Sequence, residues 1–268
     1  MKLRNFLLGS LSSAFLSVAG CGESSTSATG TGGSGGAAGT TGTAGTTGTA
    51  GTTGTAGTTG AAGTTGAAGT TGAGGGAGAG ASPSTMMNFF VSSDTSATAN
   101  LGGLTGADAR CQRLATAVGA GNKTWRAYLS TASPATNARD RIGDGPYYNS
   151  QGMMLAADKD ALHARSGDPA LFIDEHGGRI NGQWAGSPTP NQHDILTGST
   201  AAGMLMSGNT CGDWMATTGN SQVGHSDGLG PSMNPAPPYN QWAGAHTGQC
   251  GDTAPGGGAG RIYCFVGN

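Results

Sequence analysis

Three sets of residues in this 268-residue chain could carry chemistry: five histidines, five cysteines and a Gly-x-Ser-x-Gly string outside the glycine-rich block. The string is Gly224-His225-Ser226-Asp227-Gly228. A nucleophile elbow of that pattern needs an apolar strand before the serine and a helix after it. Here Gly219-Asn220-Ser221-Gln222 precedes and Leu229-Gly230-Pro231 follows, so the string reads as a loop. A hydrolase built on Ser226 or on a histidine-bound metal is therefore the minor alternative, and no catalytic residue is expected. His163, His176, His193, His225 and His246 show no local metal-ligand spacing, so no metal and no cofactor is expected. Asp140 with Asp144, and Asp158-Lys159-Asp160, lack the loop pattern of an EF-hand. Loop aspartates of this kind ordinarily make turns. The weak candidates for ligand contact are Asp213, Trp214, Asn240 and Trp242, although tryptophans more often anchor a core or a loop.

The cysteines divide into one and four. Met1-Lys2-Leu3-Arg4 is a positive start, and Phe6 through Val18 is mostly apolar. Val18-Ala19-Gly20-Cys21 closes this secretory leader. The junction resembles the lipobox of bacterial lipoproteins, which implies removal of residues 1–20 and lipid on Cys21. The apolar run is shorter than the roughly 20 residues that span a bilayer. An exported chain is expected, anchored by acyl chains at the outer membrane or cell surface. Cys111, Cys211, Cys250 and Cys264 remain, an even number that in an oxidising compartment forms two disulfides. Spacing alone leaves three connectivities open.

Glycine falls at every third position from Gly30 to Gly78, in seventeen consecutive triplets rich in Thr and Ala. That period is collagen-like, because only Gly fits the axis of a triple helix. The block contains no proline to pre-set the extended backbone. Residues 21–84 therefore read as a disordered low-complexity linker, with a trimeric collagen-like fibre as the alternative. A coil of about 60 residues spans about 40–45 Å end to end. Unless the repeat trimerises, the protein is expected to be monomeric.

Apolar and aromatic residues begin after Ser84, and residues 85–268 form one domain large enough for a core. Met87–Val91 reads as a strand. Thr105 with Asp108 has the form of a capping box. Ala107, Cys111, Leu114, Ala115 and Val118 follow at helical spacing until Gly119 and Gly121. Trp125, Ala127 and Leu129 alternate with polar residues at strand period. Residues 131–200 read mostly as loop, Met204–Met206 and Cys211–Met215 as strands, and Gly219–Gly260 again as loop. Arg261–Val266 reads as a last strand with Ile262, Cys264 and Val266 on one face.

This α+β order resembles the C-type-lectin-like fold. Leu104-Thr105-Gly106-Ala107-Asp108-Ala109-Arg110-Cys111-Gln112 and Trp125-Arg126-Ala127-Tyr128-Leu129-Ser130 are similar to the opening of endostatin, the C-terminal domain of collagens XV and XVIII. Cys211-Gly212-Asp213-Trp214 and Ile262-Tyr263-Cys264-Phe265 are similar to that family's middle and end. The opening is also similar to that of uncharacterised surface lipoproteins of spirochaetes. The resemblance implies nested bridges, Cys111–Cys264 and Cys211–Cys250. It departs from this chain in other ways. No histidine precedes His163, so endostatin's N-terminal zinc cluster is missing. Residues 81–268 hold ten Lys/Arg against thirteen Asp/Glu, which argues against heparin and against nucleic acid. The calcium strings of sugar-binding lectins are missing too, with Asn240-Gln241-Trp242 the nearest echo. The expectation is a non-enzymatic, lectin-like binding or adhesion domain on a tether, facing an extracellular protein or glycan.

Overall fold

The structure, a computed structural model, describes residues 82–268 and two short strands within the repeat. The strands are β1 (Thr43–Gly45) and β2 (Thr49–Ala50), and they pair in parallel. Cys21, the leader and the rest of the repeat lie outside the described residues. Among the described residues, no helix is long and apolar enough to cross a membrane.

The C-terminal unit is α+β, with more sheet than helix. In chain order it holds β3 (Phe89–Val91), α1 (Gly103–Ala117) and β4 (Trp125–Ala127). Two small hairpins follow, β5 (Thr131–Ala132) with β6 (Ala135–Thr136), and β7 (Tyr147–Tyr148) with β8 (Met154–Ala156). Then come α2 (Lys159–Ala164), β9 (Asp194–Leu196) and the single turn α3 (Cys211–Trp214). Strands β10 (Asn220–His225), β11 (His246–Gln249) and β12 (Gly258–Val266) complete the chain.

β12 organises the sheet. Its first half runs parallel to β9, with Arg261 opposite Ile195 and Ile262 opposite Leu196. Its second half runs antiparallel to both β3 and β4, with Cys264 opposite Phe90 and Ala127. β10 pairs with β9 and β11 pairs with β10, so the order is β11-β10-β9-β12-β3 with β4 also on β12. Both faces are covered, so the two-residue period of the strands sorts side chains into two cores. Phe90, Trp125, Ala127, Leu196, Ile262 and Cys264 pack on the side of α1 with Ala107, Cys111 and Leu114. Phe89, Val91, Tyr128, Ile195, Tyr263 and Phe265 pack on the other side with Phe172 and Trp242. Each fully buried aromatic among them contributes about 2–3 kcal/mol.

The expected bridges are present. Cys111 and Cys264 are bonded with Cα atoms 5.5 Å apart, and Cys211 and Cys250 with Cα atoms 5.6 Å apart. The outer bridge ties α1 to the central strand, inside the core.

Four local expectations are corrected. Thr105 and Asp108 form no capping box, because α1 begins at Gly103, after Gly102 at φ 74°, with no side-chain cap. Asp108 instead reaches across to β4, accepting from the Ala127 amide at 2.8 Å and pairing with Arg126 and Arg141. Met204–Met206 is no strand, and Leu205 makes an isolated bridge to Ser199. Cys211–Met215 is no strand either: Cys211, Gly212, Asp213 and Trp214 all have positive φ, from 50° to 67°. Finally, Gly219–Gly260 is not all loop, since β10, β11 and the start of β12 lie in it.

Candidate functional site

The four candidate ligand residues serve the scaffold, and the two tryptophans lie in different cores. Trp214 is fully buried in the α1-side core, and its indole N–H donates to the Ser130 carbonyl at 2.9 Å. Trp242 is 1% exposed, packs against Tyr128 and Tyr263, and donates to the Leu162 carbonyl at 2.8 Å. With their polar tips satisfied and no face open, neither can line a pocket. The Asp213 carboxylate accepts from the amides of Ala132 (2.6 Å) and Ser133 (2.9 Å), which joins the left-handed turn to the first hairpin. The Asn240 amide donates to Ser166 Oγ at 3.3 Å and its carbonyl oxygen accepts from Gln241. The other candidate aspartates make caps and pairs: Asp158 caps α2, Asp160 in its first turn meets Arg139, and Asp144 meets Lys159.

The Gly-x-Ser-x-Gly string lies at the end of β10, so a strand does precede the serine. The chain then turns, with the Gly228 amide donating to the His225 carbonyl, and only a single 3-10 turn at Pro231–Met233 follows, not the α-helix an elbow needs. Ser226 is 1% exposed and its hydroxyl has no partner. Buried in this way, it is closed to a substrate.

Chemistry-bearing side chains converge elsewhere, around Asp194. Three adjacent strands build the group. β9 supplies Asp194, β10 supplies His225 directly opposite it, and β11 supplies His246 opposite Val223. His193 precedes Asp194 and Asp227 lies two residues past His225. Asp194 Oδ1 lies 3.2 Å from His193 Nε2, 3.3 Å from His225 Nε2 and 3.5 Å from His246 Nε2. The rings of His193 and His225 stack with centroids 4.2 Å apart, and Tyr239 lies parallel to His225 on a longer contact. Asp194, His225 and His193 are almost fully buried, and the His246 side chain keeps 32% exposure.

The hydrogen bonding there is incomplete. His193 Nδ1 lies 2.7 Å from Asp227 Oδ1, and Asp227 also accepts from the amides of Gln183 and Leu229. His246 Nδ1 lies 3.1 Å from the Thr247 carbonyl. Asp194 Oδ1 and both ring nitrogens of His225 have no hydrogen-bond partner. Each such buried orphan ordinarily costs about 1–3 kcal/mol. Burial works to raise the Asp194 carboxyl, but the three imidazoles outweigh it and hold its pKa below the ordinary value. The same carboxylate, against the effect of burial, raises His246. The group is thus a pocket of imidazole and carboxylate donors around one oxygen. The linear spacing of the histidines hid it, because strand register brings them together. The one local sign was the pairing of His193-Asp194 with His225-x-Asp227.

The open depression beside α1 carries less. Its cations Arg110 and Arg113 are already paired with Asp94.

No protein-family model matches the chain, and no curated protein matches it.

Proposed function

We propose that the chain is an exported surface lipoprotein whose residues 85–268 form a non-enzymatic binding domain carried on a tether. The observation that carries this reading is the pair of bridges, Cys111–Cys264 and Cys211–Cys250. Structural disulfides belong to oxidising compartments, in keeping with the leader and lipobox read from Met1 to Cys21. The pairing of β3 with β12 and the nesting of the bridges support the finer reading, a C-type-lectin-like fold of the endostatin branch. Long loops on a stapled sheet are where recognition ordinarily resides.

Two measurements test it. Cells fed an alkyne-tagged palmitate should label the full chain, and Cys21→Ala should abolish the label. Label that survives Cys21→Ala, or a chain retained in the cytoplasm, would sink the anchor. Protein and glycan arrays probed with the full chain should return a saturable ligand. Turnover of hydrolase substrates would overturn the non-enzymatic part.

A further inference from the structure

We propose that Asp194, His225 and His246, with His193 beside them, form a site for one divalent transition-metal ion of the zinc class. The inference is independent of the anchor and of the binding partner proposed above.

The distances point to it first. Two ligand atoms bonded to zinc at about 2.0–2.1 Å with a tetrahedral angle lie about 3.3–3.4 Å apart. Asp194 Oδ1 lies 3.2, 3.3 and 3.5 Å from the three imidazole Nε2 atoms. A charge-assisted hydrogen bond would draw each pair to about 2.7–2.9 Å. The ligand atoms of Asp194, His225 and His246 all lie within 4.8 Å of one another, as a shared ion requires.

The unmet donors point the same way. Both nitrogens of His225 and Asp194 Oδ1 lack a hydrogen-bond partner, in residues 1% and 4% exposed. His193 adds a sign argument. Its Nδ1 faces the Asp227 carboxylate at 2.7 Å and so carries a proton. If the ring is neutral, its Nε2 lone pair faces the Asp194 oxygen, acceptor against acceptor. A cation between them removes that conflict. Asp227 on His193 and the Thr247 carbonyl near His246 Nδ1 are the outer contacts that orient metal-binding imidazoles.

The donor set selects the ion. Imidazole with carboxylate suits zinc, nickel or copper, whereas calcium and magnesium take oxygen ligands alone. His246, the exposed member, gives the ion a path from solvent. The alternative occupant is protons, with charged imidazoles gathered round Asp194.

The test uses the full chain, stripped with chelator and titrated with zinc by calorimetry at pH 7. One equivalent should bind saturably at micromolar or tighter affinity, and cobalt in its place should give the visible absorption of a four- or five-coordinate ion. His246→Ala should weaken zinc at least tenfold, and Asp227→Asn by about 10–100-fold. His176→Ala, remote from the cluster, should bind as wild type. Should a variant unfold, the thermal midpoint of wild type serves instead. It should rise with zinc and stay still with calcium. Zinc uptake that fails to saturate, or affinity unchanged in His246→Ala, would show protons or an adventitious ion only and overturn the site.

Discussion

Asp108 joins α1 to β4 and to the 3-10 turn ending at Arg141 through three contacts of unequal value. It pairs with Arg141, whose side chain is 11% exposed, with the more open Arg126, and with the Ala127 amide. Removing one partner of a mostly buried pair leaves the other charged and unmatched. Asp108→Ala should therefore cost about 3 kcal/mol in urea unfolding, against under about 1 kcal/mol for Arg126→Ala. Equal costs would refute the argument. His163 gives a pH prediction at the same scale. Its Nδ1 lies 2.6 Å from the Lys159 carbonyl and so donates, leaving Nε2 to accept from the Tyr128 hydroxyl at 2.7 Å. Burial pushes its pKa down, and nearby Arg139 and Lys159 add to this, against the Lys159 carbonyl and Asp160. An unfolded histidine takes up a proton near pH 6.5. Below that pH the unfolded state binds a proton that the fold refuses, so this contribution falls as pH drops from 7 towards the depressed folded pKa. The loss of stability between pH 7 and pH 5 should be smaller in His163→Gln than in wild type. An NMR titration midpoint for His163 at or above 6.5 would contradict this.

Among the elements, β10 depends on a residue that it lacks a side chain for. A Cβ at Gly224 would lie 1.8 Å from the Trp242 carbonyl oxygen, because the chain at Trp242–Ala243 runs directly against the strand. Gly224→Ala must push that backbone away, and the expected loss exceeds about 3 kcal/mol. A melting temperature within a few degrees of wild type would exclude so close an approach. How far each element could be read from the sequence follows from what drives it. α1 and β12 carry their burial in the pattern itself: Ala107, Cys111 and Leu114 at helical spacing, Ile262 and Cys264 in alternation. β10 and β11 carry no such pattern. Asn220-Ser221-Gln222 and His246-Thr247-Gly248-Gln249 are mostly polar, and pairing makes them strands, β10 against β9 and β11 against β10. The Asp194 cluster was hidden for the same reason, since its members come from β9, β10 and β11. The turn at Cys211–Trp214 is not legible locally, because its successive positive φ values run against residue preference while its ends are fixed in the fold, Cys211 in the bridge to Cys250 and Trp214 in the core.

At the scale of the whole domain, the bridges close loops of different length, 153 and 39 residues in sequence separation. In the chain-entropy account they are worth about 5 and about 4 kcal/mol. Replacing Cys111 and Cys264 by Ala together should lower stability more than replacing Cys211 and Cys250, and the reverse order in urea unfolding would contradict that account. The outer bridge also sets how the domain bears tension. A pull arriving through Ser82 meets β3 first, and β3 is held to β12 by antiparallel hydrogen bonds. Once those yield, the load passes straight across the Cys111–Cys264 bond and bypasses everything between. Stretched between handles at Ser82 and Asn268, the oxidised domain can release only residues 82–110 and 265–268, at most about 120 Å of chain. After reduction the same pull should release about 600–700 Å. In a force-extension trace, a long step before reduction would show that the bridge does not shield the sheet. With the bridge intact, the three strands that carry Asp194, His225 and His246 stay outside the line of pull, so tension on the chain ends leaves them undistorted.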